Sequence, residues 1–399
     1  MVRDSGHDLL FAYDFPPMGG GISRWMTELA LGYPADTLTV STGMLDGAAV
    51  TDRLLPQRID RIGVHADRLR TVPGLLAWSR RAVALAREPG VRFAWCDSVR
   101  PSGYPARWAF QRQALPYGII MHGGDLLTLG RRVAHRPFKR RVMQSILARA
   151  SVYVANSRWT AARASSLFAE LGLDGATSRI RVVPLGTDPA RWHADTAGAA
   201  AFRRRRGLPA GPWLVTVARL VEYKGIDTAI RVMALLAADH PGLQYAVIGR
   251  GPDAARLSAL SAELGVSDRV HLLTDVDDTE LVAGYSVGDI YVGLTRETPT
   301  DVEGFGISFV EAAACGLPVI ATRSGGIPDA VSDGETGVLV EPGDLAGVVA
   351  AIDQLLKRPD LARRMGQAGR DLVERHLNWD RVVREMREIA ATFGRNSNK

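Results

Sequence analysis

Glu303 and Glu311 stand eight residues apart in TDVEGFGISFVEAAACGLPVIAT, Thr300 to Thr322, where Gly304 and Gly306 open an apolar run and Gly316-Leu317-Pro318 closes it. A carboxylate set among small apolar residues needs a partner or a ligand, because burying an unpaired charge is costly. The segment reads as loop, helix, turn and strand. With the part after Gly304 helical at ~1.5 Å per residue, the two carboxylates lie up to roughly 12 Å apart along the axis. The unpaired N–H groups of a glycine-opened helix start offer an anion site between them. Hydroxyls held at both ends and phosphate in the middle describe a sugar nucleotide. The ordinary alternative is a pair of solvated helix glutamates.

A second pair, Arg219 and Lys224, spans a strand-to-helix turn in ARLVEYKGID, closed by Gly225. Arginine forks onto two phosphate oxygens and lysine acts as a point charge, so together they suit a diphosphate and the charge that grows on it as it leaves. A salt bridge to Glu222 or a helix cap is the alternative. His122 follows the apolar strand YGIIM and opens HGGD. That is the carboxyl end of a strand, where open α/β sheets bind ligands, and the flanking glycines predict an exposed ring.

Positioning these groups takes alternating strands and helices. A chain of 399 residues fits two domains of about 150 to 200 residues each. Strands are predicted at Asp8 to Tyr13, Leu38 to Thr42, Phe93 to Cys96, Tyr117 to Met121, Val152 to Ser157 and Trp213 to Arg219, with helices from about Ser23 to Gly32 and Leu75 to Arg87. Gly19, Gly20 and Gly21 are consecutive after the first strand and do not form G-x-G-x-x-G, so nicotinamide binding is not indicated. Gly249 and Gly251 do open a formal G-x-G-x-x-A. No acidic residue ends a strand about 20 positions later, which argues against a dinucleotide site. Asp275 and Asp277 form a D-x-D, read as turn chemistry, with Asp277 and Glu280 making a capping box.

Composition bounds the rest. Hydrophobic residues make up 46% and charged ones 23%, the balance of a globular protein with sizeable cores. The net charge of +6 comes from arginines spread along the chain without interleaved aromatics, so nucleic-acid binding is not expected. Two basic groups are denser. Arg203 to Arg206 reads as a solvated interdomain helix. Arg131, Arg132, Arg136, Lys139, Arg140 and Arg141 sit on one expected helix, whose ordinary reading is a solvated face and whose functional one is contact with an anionic acceptor or lipid headgroups. Cys96 and Cys315 are the only cysteines, which makes no disulfide framework and points to a reducing compartment. No signal-peptide core and no membrane span is read, so the expected location is cytoplasmic, including the inner membrane surface.

EGFGISFVEAAACGLPVIATRSGGIPDAV resembles the signature of the family 4 retaining glycosyltransferases of the GT-B fold, with their E-x7-E motif. IRVVPLGTDPARW and ARLVEYKGID resemble further stretches of that family, although Thr187 stands where the family has valine or isoleucine. The resemblance implies two Rossmann-like, doubly wound α/β domains facing across a cleft. Residues 1–192, with a C-terminal crossing helix at 378–399, would bind the acceptor, and 193–377 the nucleotide sugar. It implies a hexose moved from a nucleoside-diphosphate sugar, GDP-mannose or a UDP-hexose, to an acceptor hydroxyl by same-face attack. The leaving phosphate oxygen would take the proton, with no cofactor and no metal. His122 would face the reacting carbon, Arg219 and Lys224 the diphosphate, Glu303 the donor sugar and Glu311 the ribose. Gly20, Gly21, Gly249, Gly251, Val276, Phe305 and Gly306 would line the donor, with Arg24 a weaker candidate. The acceptor would be a small molecule, a glycan or a lipid-linked group. Three alternatives stay open: a sugar-nucleotide epimerase on the same fold, a pyridoxal-phosphate-dependent phosphorylase and a non-catalytic nucleotide-binding scaffold.

Overall fold

The apolar runs form two wholly parallel sheets in the computed structural model, which describes residues 6–134 and 136–395, the side chains of 132–134 excepted. The first contains β1 (His7–Phe11), β2 (Leu38–Met44), β3 (Arg58–His65), β4 (Val91–Cys96), β5 (Tyr117–Met121), β6 (Val152–Ala155) and β7 (Ile180–Val182). Their order is β3-β2-β1-β4-β5-β6-β7. The second contains β8 (Trp213–Val217), β9 (Gln244–Ile248), β10 (Val270–Leu273), β11 (Ile290–Gly293), β12 (Val319–Thr322) and β13 (Gly337–Val340), in the order β10-β9-β8-β11-β12-β13. Helices cover both faces of a parallel sheet, so its inner strands are apolar throughout rather than alternating. All residues of β4, β5, β6, β9, β11 and β12 are buried.

Each sheet reverses its winding once, between β1 and β4 and between β8 and β11. Crevices for ligands open at such points, beyond the carboxyl ends of the strands. Register keeps those ends level. Phe11 lies beside Cys96, and Tyr291 lies beside Val215, which sets Gly293 near Val217. The loops that start at Ala12 and Asp97 are therefore neighbours, as are those that start at Ala218 and Leu294.

The chain divides into two units, Met1–Leu185 with Trp379–Lys399, and Gly186–Asn378. It changes unit seven residues ahead of the expected 192. The reason is local: Thr187 N–H donates to Leu377 O at 2.9 Å, and the Trp192 ring meets Tyr285 edge-on at 5.3 Å. Helix Trp379–Phe393 belongs to the first unit, where Arg387 lies over the Tyr33 ring and Arg395 N–H donates to Arg92 O. The last four positions of the expected 378–399 segment lie outside the described residues.

Several local expectations are corrected. The first helix begins at Gly21 and not near Ser23, because Gly20, at φ 119°, makes the turn into it. The helix that carries Glu311 begins at Ile307, after Gly306 at φ 91°. Arg203 to Arg206 is not an interdomain helix and is solvated only in part, at Arg204 and Arg205. Helix Thr196–Arg206 belongs to the second unit and buries Ala199 and Phe202 there, while Arg206 pairs with Asp275 at 2.6 Å and Glu280 at 2.9 Å and Arg203 donates to Val287 O. The basic group near 131–141 spans two helices, Gly123–Ala134 and Pro137–Arg149, rather than one. Arg140 there donates to Glu170 O, Phe138 beside it is exposed, and the Arg132 side chain lies outside the described residues.

Candidate functional site

The second unit gathers its charged candidates at the switch point between β8 and β11. Beyond β8 the chain turns through Arg219 to Lys224 and enters helix Ile226–Leu236 at Gly225, φ 67°. A Cβ on Gly225 would lie 1.7 Å from Leu294 O, so glycine is required there for the turn to sit against the loop that follows β11. That approach brings Lys224 Nζ onto Glu303 Oε2 in a short ion pair whose side chains are 13% and 15% exposed. Burial alone would push the lysine down. The Glu303 charge and hydrogen bond outweigh it and hold Lys224 above its ordinary value, hence protonated at neutral pH. Arg219 forms no ion pair with Glu222, which instead lies 3.6 Å from Arg296.

Glu303 is held from its backbone. Its carbonyl accepts from Gly326 N–H at 2.9 Å, and Gly325, at φ 55°, has no room for a Cβ beside that same oxygen. Phe305 is buried. Among the described residues no group accepts from the N–H of 305–308, as a helix start with free donors requires. Glu311, four residues into that helix, is 5% exposed and accepts a 2.6 Å hydrogen bond from the Tyr285 hydroxyl. Tyr285 in turn stacks on Tyr291, whose hydroxyl reaches Ser308 Oγ at 2.9 Å.

Gly249 and Gly251 follow β9 and lean on the Arg219 turn. A Cβ on the first would stand 1.9 Å from Ala218 O, and on the second 2.2 Å from Leu220 O. Backbone hydrogen bonds from Ala218 to Ile248 and from Leu220 to Arg250 complete the support. Val276 follows β10, half-buried, in a loop fixed at both ends. Asp275 is paired with Arg206, and Asp277 Oδ1 accepts from Thr279 N–H at 2.8 Å and Glu280 N–H at 3.2 Å. The expected capping box is half formed: the Glu280 carboxylate turns to Arg205 and Arg206 instead of returning to the backbone of Asp277.

In the first unit His122 is not exposed, contrary to the reading of its flanking glycines. A helix begins at Gly123, the ring lies edge-on to Trp25 at 5.3 Å, and the residue is 7% exposed. Nε2 is 2.6 Å from Asp97 O. A carbonyl only accepts, so Nε2 carries the proton and Nδ1 is left as an acceptor. Burial lowers the histidine below its ordinary value, and the bond to Asp97 opposes this only in part. Gly19, Gly20 and Gly21 are exposed, with open space where a Cβ of Gly19 or Gly20 would stand. Arg24 lies one turn into the following helix.

Two residues of these sites escape sequence reasoning. Asp97, wholly buried after β4, accepts from Tyr13 N–H at 2.6 Å, Asp14 N–H at 2.9 Å and the hydroxyls of Ser98 and Ser102, so it ties the glycine loop to the β4 end. Burial, with Asp14 nearby, raises its carboxyl to about 6. Its one signal is an acidic residue directly after the apolar strand FAWC. Tyr285 has no signal, since its partner stands 26 positions away.

Residues 201–372 match the family described as glycosyl transferases group 1. A GDP-mannose-dependent alpha-(1-6)-phosphatidylinositol monomannoside mannosyltransferase of Mycolicibacterium smegmatis is 31% identical, over 93% of this chain and 94% of that one. A D-inositol 3-phosphate glycosyltransferase of Acidothermus cellulolyticus is 35% identical, over 76% of this chain and 67% of its own. In fold, the chain resembles the crystal structure of Anabaena Alr3699/HepE in complex with UDP and glucose, at TM-score 0.76 and 17% identity, covering 97% of this chain and 100% of that one. With two Rossmann-like parallel-sheet units and 31% identity over 93% of its length to a mannosyltransferase, the chain belongs to the group 1 glycosyltransferases, enzymes of the GT-B fold.

Proposed function

We propose that this glycosyltransferase moves mannose from GDP-mannose to an acceptor hydroxyl, with retention of anomeric configuration and without a metal ion. The observation that carries the proposal is the Lys224–Glu303 pair beside Arg219 at the β8/β11 switch point. A diphosphate entering there replaces Glu303 as the partner of Lys224. The freed carboxylate then accepts hydroxyls of the donor sugar, and Arg219 with the donors of 305–308 takes the remaining phosphate oxygens. Glu311, oriented by Tyr285, accepts the ribose hydroxyls. Gly249 and Gly251 hold the Arg219 turn against the nucleotide, and the backbone of Val276 meets the base.

Two fixed cations supply the charge stabilisation a metal would otherwise give, and the leaving phosphate oxygen receives the acceptor's proton. His122, Gly20 and Gly21 keep the roles that the family resemblance implies, at the donor sugar and phosphate. The choice of GDP-mannose rests on the Mycolicibacterium relative, whose name specifies that donor. The acceptor is a glycan or lipid-linked polyol at the cytoplasmic face of the membrane, with the exposed Phe138 and its basic neighbours as the membrane contact.

Calorimetric titration with GDP, UDP and ADP tests the nucleotide assignment. GDP should bind at least tenfold more tightly than the others, and equal binding of all three would overturn the donor choice. NMR of the product from GDP-mannose tests retention, and an inverted anomer would overturn the mechanism.

A further inference from the structure

The Lys224–Glu303 pair ties the turn after β8 to the loop after β11, yet donor binding as proposed gives that tie up. A second tie joins the same two segments. Arg296, in the loop that leads from β11 to Glu303, donates its backbone N–H to Tyr223 O at 2.8 Å. Its guanidinium reaches the first turn of helix Ile226–Leu236, where it forks onto the carboxylate of Asp227: Nη1 lies 3.2 Å from Oδ1 and Nη2 3.2 Å from Oδ2. Lys224 stands in the chain between these two points of attachment. Backbone contact closes the same seam, since Leu294 O fills the space a Cβ of Gly225 would take.

Two features separate this pair from an ordinary surface ion pair. The fork is planar and bidentate, so it fixes direction as well as distance, which a point charge does not. The segments it joins are also the two walls of a cavity of about 340 Å³, with Arg219 and Tyr223 on one side and Thr298 and Asp301 on the other. Their separation sets where Arg219 and Lys224 stand relative to Glu303. An error of about 1 Å in such a placement costs about 10²-fold in rate.

We propose that Arg296 is a positioning residue of the transfer reaction: paired with Asp227, it keeps the Arg219–Lys224 turn level with the Glu303 loop after the donor has parted Lys224 from Glu303. This role rests on the donor reading and adds the group that preserves its geometry. In the empty protein the two ties are redundant. Removing one member of the second strands no charge, because Asp227 keeps Arg256 at 4.0 Å and Arg296 keeps Glu222 at 3.6 Å. Arg296 and Asp227 are moreover 32% and 16% exposed, so their loss should show in turnover far more than in stability.

The test is GDP release from GDP-mannose by R296Q, D227N, the double variant and K224A, with GDP affinity and stoichiometry read by calorimetry and Tm by scanning fluorimetry. R296Q and D227N should each lower kcat about 10- to 100-fold. KM and GDP affinity should stay within about threefold of the parent, with one GDP bound per chain and Tm within about 4 °C. The double variant should be no slower than the slower single, because both break one interaction. R296K, which keeps the charge without the fork, should match the parent in Tm and stand about 3- to 10-fold below it in rate. The positioning role is overturned by a kcat within about threefold of the parent in R296Q, by a rise in KM in place of the fall in kcat, by losses that multiply in the double variant, or by a GDP stoichiometry that falls in step with the rate. K224A keeps the two readings apart. If it is slow and R296Q is not, the positioning role alone falls; if K224A itself keeps the parent rate, the donor reading falls with it.

Discussion

Replacing Lys224 with alanine separates what the lysine does for the fold from what it does for turnover. In the empty protein it neutralises Glu303, and both side chains are largely out of water. Removing one member of a buried pair strands the other, at a cost of about 3–5 kcal/mol. For a unit of this size that lowers Tm by about 6–20 °C, the lower end applying because neither side chain is fully enclosed. Loss of one donor aimed at the leaving diphosphate costs about 10²- to 10³-fold in turnover, about 2.7–4 kcal/mol of transition-state stabilisation. Adding E303Q removes the stranded charge, so K224A/E303Q should regain most of the lost Tm and none of the lost rate. The assay is GDP release from GDP-mannose at saturating donor, with Tm read by differential scanning fluorimetry on the same samples. A single K224A variant within about fivefold of the parent rate refutes the assignment. Recovery of rate along with Tm in the double variant refutes it as well, because Lys224 would then act only through the fold.

The other expectations are narrower. Turnover should be unchanged, within about twofold, in excess EDTA, and a tenfold loss restored by a divalent ion would refute the proposed metal independence. His122 lies below its ordinary value of 6.5, so it is neutral at pH 7, and the unfolded chain takes up the proton first as pH falls. Its contribution to stability is therefore complete above about pH 6.5 and shrinks below it, and the acid-side fall in Tm should flatten in H122Q. Lys224 is raised, so the stability of its pair is full below about 10.5 and is lost only as pH rises beyond that, leaving the neutral range flat. G249A forces a methyl to 1.9 Å from Ala218 O at φ 148° and should cost about 1–3 kcal/mol. It should also weaken GDP binding through the displaced Arg219 turn, and calorimetry showing parental affinity would break that link.

The fold was legible because parallel strands covered on both faces are written as short, unbroken apolar runs, as in YGIIM and VIAT, and glycine or proline marks their ends. The β5 bounds read from sequence and those of the structure coincide. Local side-chain partners were not legible. Lys224 and Glu303 stand 79 positions apart and meet only because the β8 and β11 ends are level, a fact of strand order rather than of spacing. His122 misled in the opposite direction: glycines promise exposure, yet Gly123 starts a helix and Trp25, from another element, covers the ring. The arginine run 203–206 shows that a charge cluster does not reveal whether its counter-charges, here Asp275 and Glu280, come from a neighbouring loop.

The Lys224–Glu303 pair also bears on why an enzyme would bury opposite charges where it binds an anion. An unpaired lysine at a closed switch point would be driven towards neutrality by burial, and a neutral amine does nothing for a departing diphosphate. An unpaired glutamate would repel that diphosphate. Joined, Glu303 keeps Lys224 protonated and each side chain holds the other in place. Under the proposed mechanism, the donor would exchange partners instead of creating charges: phosphate for Glu303 at the lysine, sugar hydroxyls for Lys224 at the glutamate. No charge would then have to be made or desolvated afresh on binding, and the interactions that the proposal has strengthening as the diphosphate leaves would already be in position. E303Q tests this directly. It removes the charge that holds Lys224 protonated, so the lysine should titrate lower, and a basic limb should enter the rate profile at a pH where the parent is flat. A profile as flat as the parent's would show that the phosphate alone sets the state of the lysine.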